Sequence, residues 1–122
     1  NALVRGTDTP MPMDSEKILH GIPISPGLVV GPVRFVRSME DWSRVCRGDI
    51  LVVSVIDPGM APLFGVASGL VAEMGGTLSH GAIIAREYGL PAVANVHSIT
   101  TRLKEGDRIS LDAARGQIII QD

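Results

Sequence analysis

The sequence predicts an α/β domain built on a mixed sheet with short helices, and three observations carry that prediction. Short apolar runs rich in Val, Ile and Leu recur at both ends of the chain. In the middle, similar runs alternate with a helical segment that has both a start and a stop signal. Glycine and proline, 14 and 8 of 122 residues, punctuate these pieces throughout. Terminal strands around a strand–helix alternation are the pattern of a mixed domain, not of a helical bundle.

Taken in order, residues 1–17 hold two prolines and polar residues without periodicity, and they read as a linker or tail. The folded domain is expected over residues 18–122. Strands are predicted over residues 18–24 and 28–36, joined by Ser25-Pro26-Gly27. A short helix follows over 39–45, then a buried strand over 49–54. Asp57-Pro58-Gly59 breaks that strand and opens a second short helix ending at Phe64. Residues 69–74 form a further strand that runs into Gly75-Gly76. The clearest helix comes next, with Ser79 as N-cap, residues 81–88 as its body, and Gly89 with Pro91 as its stop. Residues 91–96 give a strand and 98–103 a turn of helix. Strands over 108–112 and 116–120 close the domain as a hairpin around Ala113-Ala114-Arg115.

Composition narrows the function. The chain is 45% hydrophobic and 20% charged, enough for a real core, with aromatics at only 3%. A formal net charge of −2 leaves no basic footprint for nucleic acid or an anionic membrane. No apolar run approaches the roughly 18 residues of a membrane span, and the given residues show no charged-then-apolar stretch of the secretory kind, so no secretory leader is expected. The single cysteine, Cys46, excludes a disulfide framework and fits a reducing cytoplasm; it is expected to pack as a small residue beside a strand.

The chemistry concentrates in Gly75-Gly76-Thr77-Leu78-Ser79-His80-Gly81-Ala82-Ile83-Ile84-Ala85-Arg86-Glu87. Two glycines after a strand allow a tight turn and close approach of a bulky ligand. His80 then falls at about the first helical position, where amide groups lack intrahelical partners and the dipole favours an anion. A phosphoryl group on an imidazole nitrogen is such an anion. Gly81 and Ala82 are small, which reads as open space for in-line attack on phosphorus. A neutral imidazole is both a nucleophile and a good leaving group. Spacing alone leaves a plainer alternative equally open, in which His80 merely caps a helix or fills a surface groove.

GGTLSHGAIIAREYGLPAV resembles the phosphohistidine segment of the phosphoenolpyruvate-utilising enzymes, in the style of their phosphoenolpyruvate synthase-like branch. GIPISPGLVVGPV, GDILVV, DPGMAPLF and EGDRISLDAARGQI agree in order, so the resemblance covers about residues 18–120. It implies a swivelling β/β/α domain in which His80 accepts a phosphoryl group, with Gly75, Gly76, Thr77, Ser79 and Gly81 as supporting, phosphate-binding positions. It further implies no metal and no cofactor in this domain. ATP and magnesium are expected in a nucleotide-binding partner domain, and the phosphoryl acceptor in a phosphoenolpyruvate/pyruvate-type or other domain. Two positions depart from the family pattern: Leu78 stands where Thr or Ser is frequent, and Gly81 where Ala is usual. Segments for ATP binding, magnesium binding and a pyruvate-site cysteine are missing, so the chain is expected to be a fragment or a free-standing carrier that does not turn over alone.

The remaining candidates read mostly as structure. Glu87 shares the His80 face and Arg86 lies on its flank; a solvated, salt-bridging face is the expected role of both. Asp57 is expected to serve its turn, although it could lie near His80. Glu73 is equally consistent with the same crevice and with an edge charge. His20 and His97 have no partner at ligand spacing. Adjacent Ser79 and His80 point about 100° apart and form no hydrolase dyad. A non-catalytic regulatory or interaction module on the same fold is the competing function, and a metal-dependent hydrolase fails on ligand count.

Overall fold

A computed structural model describes residues 18–121. The tail expected over 1–17 lies outside the described residues. The elements are β1 (Ile18–His20), β2 (Ile22–Ser25), β3 (Leu28–Phe35), a 3₁₀ helix (Met39–Arg44), β4 (Ile50–Val53), a 3₁₀ turn (Pro58–Met60) and α1 (Ala61–Phe64). They continue with β5 (Gly69–Ala72), α2 (His80–Tyr88), β6 (Ala92–Ala94), α3 (Ile99–Arg102), β7 (Arg108–Asp112) and β8 (Gln117–Gln121).

Among the described residues eight strands connect in the order β1-β8-β7-β3-β4-β5-β6-β2, and β3 is the element shared by two layers. Its first half pairs antiparallel with β7, from Leu28↔Asp112 to Pro32↔Arg108. Its second half pairs parallel with β4, from Val33↔Ile50 to Phe35↔Val52. The passage falls at Gly31-Pro32, where a Cβ on Gly31 would run into the Gly48 carbonyl. Proline suits that point because it has no N–H to donate to a ladder.

The parallel layer β3–β4–β5–β6 is buried on both faces. Ile50, Leu51, Val52 and Val53 of β4 are all buried, as are Gly69–Ala72 and Ala92–Ala94. Continuous apolar runs are what such a layer requires. Alternate residues enter two separate cores. Leu51, Val53, Leu70 and Ala72 pack with Met60, Leu63, Phe64, Ala82 and Ala85 of the helical side. Ile50, Val52, Val71 and Val93 pack with Leu19, Ile109, Leu111 and Ile118 of the antiparallel side. The result is the β/β/α stack. Gly69 keeps the two sheets close, since a Cβ there would lie 2.9 Å from Leu111 Cδ2.

Three expectations change. Residues 18–24 do not form one strand: β1 pairs with β8 and β2 with β6, at opposite ends of the sheet. The crossing is at Gly21, whose N–H donates to the Gly116 carbonyl at 2.8 Å and which has no room for a side chain beside Ala94 and Val96. The strand over 91–96 shortens to Ala92–Ala94 because Asn95 adopts φ 58° and turns the chain out of the sheet. Cys46 is exposed in the turn before β4, not packed beside the strand; its N–H donates to buried Asp49 Oδ2 at 2.9 Å. The reason is that the turn must satisfy Asp49, which also accepts from Arg34 Nε at 3.0 Å.

This ion pair belongs to a network that ties β3 to the 3₁₀ helix and to the turn before β7. Glu105 accepts from Arg34 Nη1 at 3.3 Å, from Arg44, and from the Phe35 N–H at 3.2 Å. The Arg44 hydrogen bond, ahead of other causes, holds the Glu105 carboxyl below the usual carboxylate range. A carboxylate lowered by folding contributes stability above its unfolded pKa and loses it as pH falls through the lower folded value. Glu105→Gln should therefore lose less stability than the wild type between about pH 5 and pH 3, where unfolded Glu titrates near 4.3. Urea unfolding at a series of pH values reads the slope. Equal slopes for the two proteins would contradict the assignment.

Candidate active site

β5 delivers the chain to the carboxyl edge of the parallel layer, where the Glu73 and Met74 amides donate to Val53 and Ser54 carbonyls at 2.9 and 2.8 Å. Gly75 then adopts φ 128°, a conformation L side chains rarely reach, so this turn requires glycine. The Gly76 carbonyl accepts from the Ser79 N–H at 3.3 Å. Ser79 has extended backbone (φ −68°, ψ 153°), and its Oγ accepts from the Ala82 N–H at 3.1 Å. It is the N-cap, as the sequence predicts. His80 is the first residue of α2 and is exposed. At the far end Gly89 takes φ 66°, with Gly89 N–H to Arg86 O at 3.0 Å and Leu90 N–H to Ala85 O at 3.1 Å. That pair of bonds closes the helix in a Schellman motif.

The first turn of α2 is seated by its inward side. Gly81 is buried, and a Cβ on it would run into the Ile56 carbonyl and lie 2.7 Å from Ile56 Cγ2. The space that Gly81 leaves is therefore taken by the loop after β4 and is not the open approach to His80 expected from its size. Ala82 and Ala85 are fully buried beside it. His80, Ile83 and Glu87 are exposed on the other side. Helix geometry leaves the His80 and Gly81 amides without intrahelical partners, so the imidazole stands at the positive end of the dipole. Among the described residues its ring has no hydrogen-bond partner, and no group of three or more His, Cys, Asp or Glu could hold a metal.

The neighbours sort as follows. Thr77 and Leu78 are exposed in the loop, Leu78 at 89%, with Met74 exposed at its start. Asp57 caps its own turn, accepting from Gly59 N–H at 2.9 Å, beside the Ile56 carbonyl that meets Gly81. Glu73 accepts from Thr100 Oγ1 at 3.3 Å on the same edge. An open cleft of about 680 Å³ there is lined by Arg37, Trp42, Val55, Asp57, Met60 and Thr100. Ser79 Oγ accepts from the Ala82 N–H, so Ser79 serves the helix start as its cap. His20 is exposed on β1, and His97 is exposed just after β6. Arg86 differs from expectation. Its Nε donates to the Ile24 carbonyl at 3.0 Å and its Nη2 to the Thr77 carbonyl, so it links two backbone segments and no acid. Sequence has no signal for this, because both acceptors are main chain.

The chain has counterparts among known proteins. The PEP-utilising enzyme, mobile domain, family matches residues 45–116. The chain belongs to that family. This mobile domain is 49% identical over 98 residues to rifampicin phosphotransferase of Bacillus cereus, covering 80% of this chain and 11% of that protein. It is 36% identical over 106 residues to phosphoenolpyruvate synthase of Aeropyrum pernix, covering 86% and 13%. The chain thus spans about one eighth of the length of these relatives. A solution structure of Enzyme I aligns at a TM-score of 0.53 and 26% identity, over 62% of this chain and 31% of that one. Aconitase X of Thermococcus kodakaraensis shares the fold alone, at a TM-score of 0.67 and 18% identity over 86% and 98% of the two chains.

Two substitutions test how the mobile domain holds α2. Ser79→Ala removes the cap and should cost about 1 kcal/mol. Gly81→Ala should cost about 1–3 kcal/mol, because the added methyl meets backbone that cannot rotate away. Urea unfolding measures both, and a Gly81→Ala domain as stable as wild type would refute the seating on Ile56.

Proposed function

We propose that the domain carries a phosphoryl group on His80 between two catalytic sites of a larger phosphotransferase. The observation that carries this reading is an exposed imidazole at the N-terminal end of α2, in a mobile domain of the PEP-utilising family. In the first half-reaction an imidazole nitrogen attacks the phosphorus of the donor. A nitrogen–phosphorus bond forms as the bond to the departing phosphate or enolate oxygen breaks. In the second, an acceptor oxygen attacks from the opposite side and the imidazole leaves with its electron pair. The phosphoryl oxygens lie near helix N-terminal amides that favour an anion. Gly75 and Gly76 shape the approach, Ser79 and Gly81 hold the helix start, and Thr77 supplies a hydroxyl beside it. The reading places ATP and magnesium in a nucleotide-binding domain outside this chain and needs neither metal nor cofactor within it.

The acceptor is pyruvate or a hydroxyl of another small molecule. Relatives named for both rifampicin and phosphoenolpyruvate support the choice, and the higher identity to the former favours the antibiotic-modifying branch. Exposed Met74, Leu78 and Ile83 around His80 fit a surface covered when a partner domain closes on it. A reducing cytoplasm is the compartment in which a lone exposed Cys46 fits.

With the parent nucleotide-binding domain, magnesium and ATP, the domain should gain one phosphoryl group that is stable to alkali and lost in acid. His80→Ala should abolish the gain and leave unfolding within about 0.5 kcal/mol of wild type, since the side chain is exposed. His20→Ala and His97→Ala should label normally. Intact-mass analysis decides, and a labelled His80→Ala chain would end the proposal. The isolated domain should give no heat of ATP binding by calorimetry; tight binding there would place the donor site inside this chain.

A further inference from the structure

We infer that Arg86 is a positioning residue for phosphoryl transfer, bridging the Ile24 carbonyl at β2 and the Thr77 carbonyl in the loop that presents His80. The inference rests on the carrier reading of His80 and adds to it the group that orients the histidine. Between Gly75 and Leu78 the described hydrogen bonds are two: Ser79 N–H to the Gly76 carbonyl, and Arg86 to the Thr77 carbonyl. Thr77 and Leu78 are exposed, and Gly75 permits conformations that other residues do not. The direction in which the loop enters α2, and with it the His80 side chain, is thus set from outside the loop. Arg86 is suited to that task. Its Nε and Nη2 lie in one rigid plane and are always charged, so fixing one carbonyl fixes the direction to the other. A lysine ammonium at this position has no such fork.

α2 has anchors besides the bridge. α2 is held by its Ser79 cap, its Gly89 closure and the burial of Gly81, Ala82, Ala85 and Leu90, whereas Arg86 is exposed. A residue that only stabilised the helix would lower folding and transfer together. One that orients His80 should lower the transfer rate alone.

The test uses the full-length parent protein with Arg86→Met and Arg86→Lys. Expected is a fall in kcat for phosphoryl transfer to His80 of about tenfold to 10²-fold, the scale of misplacement by about an ångström. KM for ATP should be unchanged, and Lys should recover part of the loss at most. Phosphoramidate, a small free donor that imposes no docking geometry, should label His80 in the variants as fast as in the wild type. Amide NMR shifts of Thr77–His80 should move while those of β4 and β5 do not. Wild-type kcat in Arg86→Met overturns the inference. So does a parallel loss of kcat, phosphoramidate labelling and melting temperature, which marks a structural role. Failure of the wild type itself to label removes the carrier reading, and this inference with it.

Discussion

The constraint on which the rest depends is that the parallel layer β3–β6 is apolar on both faces. Ile50, Leu51, Val52 and Val53 cannot place one face in water without exposing two large side chains. Helices must cover one side and a second sheet the other. The antiparallel layer is made by the same long strand β3, which passes from one layer to the other at Gly31-Pro32. Once both faces are closed, only the strand ends remain accessible. The carboxyl edge gathers the loops after β3, β4 and β5, and His80 lies there, in the crevice position that open parallel sheets offer to ligands.

α2 resolves a conflict between holding a helix firmly and leaving its first residue free. The inward residues Gly81, Ala82 and Ala85 provide the hold, and Gly81 does so by having no side chain against the Ile56 carbonyl. The outward residues are then available for chemistry. His80 stands at the helix start that the Ser79 cap defines, and Arg86 fastens the loop that leads into it.

Much of this was legible in the sequence where the signal is local. Ser79, Gly89, the Asp57 turn and the strands around β4 and β5 follow from capping, turn chemistry and apolar runs, and the structure places them within a residue or two. What was not legible depends on contacts remote in sequence. Gly21 reads as a weak interruption of a strand until Gly116 and Ala94 are seen beside it. Gly81 reads as open space until Ile56 fills it. Arg86 reads as solvated because its partners are carbonyls, which no residue pattern reveals. Cys46 follows burial statistics poorly because Asp49 dictates its turn. The family resemblance carried His80 itself, which spacing alone left undecided.

The crossing at Gly21 has a consequence for solubility. Among the described residues β1 and β2 are the two outermost strands of the eight, so one short segment, residues 18–25, covers both ends of the sheet they form. Each seal is brief, three and four residues, and β2 carries Pro23, which cannot extend a ladder. Beneath them lie β8, with Ile118, Ile119 and Ile120 in succession, and β6, with Ala92, Val93 and Ala94 fully buried. A proteolytic nick or a destabilising change near Gly21 would uncover both at once. Two apolar strands with unpaired backbone, at opposite ends of one sheet, would let neighbouring molecules add end to end. The few residues before the first turn thus protect the domain against aggregation out of proportion to the area they bury.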